Sequence, residues 1–151
     1  MIIIGLSNIC ELKMKLTFLC SDCRCWLTKN PTEITKRCLG SYEWAGTQFQ
    51  AGDLDKALNG IGTAFEMSEI MLKSDEICDF VASDWLVATS EELVRVLSEL
   101  GRLEDSINIH RRTSVLLAEA GDNNQLERLR PKLERIARVA HGSNNYLRVV
   151  H

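Results

Sequence analysis

Phe49-Gln50-Ala51-Gly52-Asp53-Leu54-Asp55-Lys56-Ala57-Leu58 reads as the end of one helix and the start of the next. Upstream, Ile34, Cys38, Tyr42, Ala45 and Phe49 recur at steps of three and four, the period of a helix with one apolar face. Downstream, Leu54, Ala57, Leu58, Ile61, Ala64, Phe65 and Met71 do the same. Gly52 permits the left-handed backbone of a tight helix end, and the Asp53 carboxylate suits the free N–H groups of a helix beginning.

The pattern extends outward in both directions. Leu12, Leu16, Leu19, Cys23, Trp26 and Leu27 predict a first helix. Asn30-Pro31-Thr32-Glu33 is a start signal, with Asn30 as cap, Pro31 at the first position and Glu33 closing a capping-box-like pair. Ser74-Asp75-Glu76 opens a long segment whose stripe is Ile77, Val81, Trp85, Ala88, Leu93, Val96, Leu97 and Leu100, ended by Gly101. Thr89 with Glu92 offers a second capping box, so a break near Thr89 is expected. Leu103, Ile107, His110, Ser114 and Leu117 continue to Gly121, and Asp122-Asn123-Asn124 forms a turn and cap. Leu126, Leu129, Leu133, Ile136 and Ala140 line a last helix; Pro131 within it predicts a kink or marks its true start. No period-two alternation is found. The expectation is an all-α chain of about six helices whose short joints make neighbours antiparallel. Residues 12–141 form one domain, preceded by an extension over 1–11 and followed by a flexible tail over 142–151. Met14 is an alternative start.

The totals agree with a globular domain. Of 151 residues, 45% are hydrophobic and 26% charged, with only 2 Pro. No apolar run reaches the roughly 18 residues of a membrane span. Met1 to Leu6 are apolar but lack a basic lead or cleavage site, so no secretory signal is read and a cytoplasmic location is expected, with six cysteines kept reduced. Charge is uneven: residues 1–40 carry 6 basic and 3 acidic groups, 41–110 carry 4 and 14, and 111–151 carry 8 and 4. Such asymmetry steers partners or pairs the basic ends with the acidic middle.

Trp44-Ala45 … Phe49 … Gly52-Asp53-Leu54 … Ala57-Leu58 … Ala64-Phe65, and again Leu93-Val94 … Leu97 … Gly101-Arg102-Leu103 … Ser106-Ile107 … Thr113, resemble the tetratricopeptide repeat. In that pattern a bulky-small pair, a large residue one turn on, a turn glycine and small residues in the second helix let two helices pack closely. The glycines are 49 positions apart, longer than the standard repeat of about 34. The closing proline is missing, and polar His110, Thr113 and Ser114 replace apolar groups. The resemblance implies a right-handed stack of longer hairpins that binds a protein or peptide. It also implies that the first helix of each hairpin lines the groove, pointing to Glu43, Gln48 and Arg95.

Few residues suggest chemistry. Cys20-x-x-Cys23-x-Cys25, with Cys38 or Cys10 as a fourth thiolate, has the ligand type for zinc, though Cys38 has no cysteine nearby in sequence. The helical stripe through Leu19, Cys23 and Trp26 favours the other reading, in which these cysteines are reduced, buried small hydrophobes. Gly60-Ile61-Gly62 lacks the strand, third glycine and lysine of a phosphate loop and reads as close helix packing. His110 falls on a core face and reads as a satisfied buried histidine rather than a base. His141 and His151 read as solvent groups. Arg128, Lys132 and Arg135 share one face of the last helix, facing solvent, an acidic partner or the acidic middle; the acidic net charge and lack of interleaved aromatics argue against nucleic acid. Glu66, Glu69, Asp75, Glu76, Asp79, Asp84, Glu91 and Glu92 read as solvated helix faces. The expectation is therefore a non-enzymatic interaction module holding a partner's peptide or helix, with no cofactor and no membrane. The alternatives are a thiol- or zinc-dependent regulator using the cysteine cluster, and a homodimer.

Overall fold

Three glycines set the helix boundaries. In the computed structural model, which describes residues 16–132 together with 134, 135 and 138, Gly52, Gly101 and Gly121 have φ of +82°, +75° and +76°. Each closes the same pair of hydrogen bonds, with the next residue's N–H reaching back five positions: Asp53 to the Gln48 carbonyl, Arg102 to Leu97 and Asp122 to Leu117. These glycine-centred ends satisfy carbonyls that a helix terminus leaves free. They delimit α2 (Pro31–Gln50), α3 (Leu54–Lys73), α4 (Asp79–Glu99) and α5 (Leu103–Glu119). A shorter α1 (Ser21–Lys29) precedes them, and residues 123–132 begin α6. Asp53 caps α3 through the Lys56 N–H at 3.1 Å, and Asp122 accepts the Gln125 N–H at 3.1 Å. No strand occurs among the described residues, and no helix there is long and apolar enough to cross a membrane.

Several boundaries differ from the sequence reading. The first helix begins at Ser21; residues 16–20 are not helical, because Glu66 on α3 accepts the N–H groups of Phe18 and Leu19. Ser74 closes α3 instead of opening α4, and Ile77 lies in the connection. Asn30 joins α1 to α2, but its side chain does not cap the start of α2 as expected: its Nδ2 donates back to the Trp26 carbonyl in the last turn of α1 at 2.8 Å. α4 runs unbroken through Thr89, whose hydroxyl lies 2.7 Å from the Trp85 carbonyl and 3.1 Å from Ser68 Oγ on α3. Residues 123–132 are helical across Pro131, so the proline does not mark the start. Leu133, Ile136, Ala140, the extension and the tail lie outside the described residues, as do Cys10 and Met14.

α3 is the central element. From Gly60 to Met71 every residue but Thr63 is buried, as expected of a helix flanked on most sides. Its most extensive contacts are with α2 and α4, and α4 also packs on α5. Phe65, Ile61 and Met71 are its largest fully buried side chains, each contributing about 1.5–3 kcal/mol through burial. Gly60 and Gly62 serve this packing, because a Cβ at Gly60 would stand 2.7 Å from the Trp44 ring and one at Gly62 would run into the Phe18 ring. Thr35 meets Met71, Cys38 meets the Ala64 carbonyl and Ala45 lies beside Gly60.

Candidate functional site

The helical period places Glu66, Glu69 and Lys73 on one face of α3, and Arg112, Val115 and Glu119 on one face of α5. Between these faces, with Leu16, Thr17 and Arg24 at one side, lies an open cavity of about 740 Å³. Its floor is charged. Glu66 is 1% exposed and Glu69 6% exposed. Carboxylates this buried need partners, and each has an arginine. Glu66 pairs with Arg24 and accepts the Leu19 N–H at 3.1 Å as well as that of Phe18. Glu69 takes both Nε (2.8 Å) and Nη2 of Arg112 in a two-point contact, and that guanidinium also sits 5.4 Å from the centre of the Phe65 ring. Burial raises the Glu69 carboxyl above its ordinary range, against the pull of Arg112.

With those two glutamates neutralised, the wall presents Lys73, Arg111 and Glu119 beside Ile109, Val115 and Leu116. Lys73 and Arg111 form no ion pair among the described residues. Val115 is 56% exposed. The arrangement suits an apolar surface flanked by positive charge.

The residues expected from the sequence to line a groove stand on α2 and α4, apart from this cavity. Glu43 and Arg95 are exposed and Gln48 is half-buried, on α2 and α4. There Arg95 lies 3.7 Å from Glu92 and 6.0 Å from the Phe49 ring. Tyr42 and Trp85 meet edge-on at 5.8 Å, bringing α2 and α4 together through their side chains. None of the three lines the cavity.

The cysteines divide into two groups. Cys20, Cys23 and Cys25 are exposed. Cys38 is in the core, its thiol donating to the Ala64 carbonyl at 3.4 Å, and burial pushes it up to about 12. No three His, Cys, Asp or Glu side chains gather to hold a metal among the described residues. On α6, Lys132 pairs with Glu91 of α4, Arg128 donates to Gln125 at 3.1 Å and Arg135 is exposed. His110 is 2% exposed. Contrary to the satisfied histidine expected, its Nδ1 has no hydrogen-bond partner among the described residues.

Of the acids read as solvated faces, Glu66 and Glu69 need correction, because they are buried. Asp75, Glu76, Asp79 and Asp84 are exposed, with Asp84 accepting from Gln125 at 2.7 Å, and half-buried Glu91 and Glu92 pair with Lys132 and Arg95. One sequence signal pointed to the first two: both stand in Ala64-Phe65-Glu66-Met67-Ser68-Glu69-Ile70-Met71, where apolar residues occupy every side of the helix. No protein-family model, curated protein or solved structure matches the chain.

Proposed function

We propose that the protein is a non-enzymatic interaction module, built of antiparallel helical hairpins stacked as in tetratricopeptide-type repeats, that holds a peptide or helix of a partner protein. Two observations support the hairpins: the repeated glycine-centred ends, and the pairing of Thr35 with Met71, Cys38 with Ala64 and Ala45 with Gly60, in which one helix ascends as the other descends. We place the groove at the α3/α5 cavity, on the second helices of the hairpins and not on the first as the resemblance implies, and the observation that carries it is exposed Val115 with Lys73 and Arg111 around a floor of ion-paired glutamates. Such a surface takes a segment with an apolar anchor and an acidic flank. Binding energy would concentrate in the anchor, while charge sets orientation and rate.

A photo-crosslinking residue at position 115 in the full chain should capture a discrete partner from a cognate lysate. The same residue at Phe80, 70% exposed but outside the groove, should not. Val115→Asp should weaken binding of the identified partner segment at least tenfold, and Arg111→Glu should weaken an acidic segment by a similar factor. Capture that is equal at both positions, or binding indifferent to Val115→Asp, overturns the proposal.

A further inference from the structure

One carboxylate holds the chain on both sides of a cysteine pair. Glu66 accepts the N–H groups of Phe18 and Leu19, immediately before Cys20, and pairs with Arg24, immediately after Cys23. The four residues from Cys20 to Cys23 are thereby held at the head of α1. Cys20 is the N-cap, with φ −69° and ψ 162°, and its Sγ accepts the Cys23 N–H at 3.2 Å. Both side chains are exposed.

We propose that Cys20 and Cys23 form a thiol–disulfide exchange site that takes a small disulfide, such as glutathione disulfide, as oxidant and closes to an internal disulfide. The geometry supplies what exchange requires: an accessible attacking sulfur, a second exposed cysteine three residues on whose N–H already donates to it, and a backbone ordered in the ring to be closed. Cys20 is the attacking sulfur. Hydrogen bonds from the Cys23 side chain and N–H hold its thiol below the ordinary range, while the same interaction raises Cys23. A helix N-terminus stabilises a thiolate in the same sense.

The reaction balances in two displacements. The Cys20 thiolate attacks one sulfur of the disulfide, the S–S bond breaks, and one thiolate leaves with its electron pair. Cys23 then gives its proton to water and attacks the Cys20 sulfur, expelling the second thiolate. Two protein thiols are oxidised to one disulfide, one small disulfide is reduced to two thiols, and the two protons end on the released thiols.

The test uses the full chain with Cys10→Ser, Cys25→Ser and Cys78→Ser, equilibrated in glutathione buffers from reducing to oxidising and acid-quenched. Intact mass should show the loss of two hydrogens with no retained glutathione. Adding Cys23→Ser should abolish that species and leave a glutathione adduct on Cys20. At neutral pH, Cys20 should be alkylated at least about fivefold faster than Cys25 in the unsubstituted chain, as a thiol held below its ordinary range is. A peptide map of the oxidised unsubstituted chain should join Cys20 to Cys23, and it decides the matter should the triple variant misfold. A persistent mixed disulfide with both cysteines present, or a map joining Cys20 to Cys10 or Cys25, overturns the proposal.

Discussion

Arg24 and Glu66 form an ion pair across 42 positions of sequence, with the arginine 39% exposed and the glutamate 1% exposed. Two similar pairs, Arg112 with Glu69 and Lys132 with Glu91, also join a basic end of the chain to its acidic middle. They differ in weight, because Lys132 and Glu91 are both well exposed, and pairs of that kind contribute only about 0–1 kcal/mol.

Glu66 is therefore the carboxylate whose loss should be felt most. Glu66→Gln keeps the shape but weakens three hydrogen bonds in a buried site, at a cost of about 1–3 kcal/mol. Lys132→Met should cost under about 1 kcal/mol. Urea unfolding of the two variants checks the order, and equal losses would refute the ranking.

His110 makes stability depend on pH. Burial first, then Lys132, lowers its folded value below the ordinary 6.5, while Glu91 opposes them. A base depressed by folding binds fewer protons in the native state, so its stabilisation is complete above 6.5 and is lost as pH falls from there toward the folded value. Glu69 acts in its own window. Its raised carboxyl makes the native state bind more protons, so stability falls as pH rises from the ordinary 4.5 to the folded value and is level above it. Unfolding free energies of the parent and His110→Asn should diverge in the parent's favour up to about pH 6.5 and run parallel above it. A constant difference from pH 4.5 to 7.5 would show that His110 does not titrate on unfolding.

The glycines separate into those that packing requires and those it does not. A Cβ at Gly60 would meet the Trp44 ring at 2.7 Å and Ala45 Cβ at 3.0 Å, whereas at Gly40 or Gly46 it would meet nothing within 4 Å. Gly60→Ala should destabilise by about 1–3 kcal/mol through overpacking. Gly40→Ala and Gly46→Ala should stabilise by about 0.5–1 kcal/mol each by restricting the unfolded chain. Thermal unfolding distinguishes these signs, and a stabilised Gly60→Ala would mean that α2 and α3 are less closely packed than described.

The all-α class and most helix ends were written locally. An apolar period of three and four, a glycine free to take positive φ and an aspartate beside a free N–H act within a few residues, so Gly52, Asp53, Gly101 and Gly121 could be read without coordinates. Two of the places that misled are ones where a distant group competes. Leu16 and Leu19 fit a helical stripe, yet Phe18 and Leu19 give their N–H groups to Glu66; Thr89 looked like a cap, yet its hydroxyl is used within α4 and against Ser68.

The candidate sites depended most on tertiary structure. Periodicity identifies which face of a helix is apolar, but not which other helix will cover it, and Glu66 and Glu69 are acids whose burial depends on arginines 42 and 43 positions away. The cavity beside them exists because α3 and α5 stand apart there, a consequence of packing that no local pattern encodes. The spacing of Cys20 and Cys23 was visible from the outset. That one carboxylate holds the chain on both sides of them was decided only when α3 brought Glu66 against the head of α1.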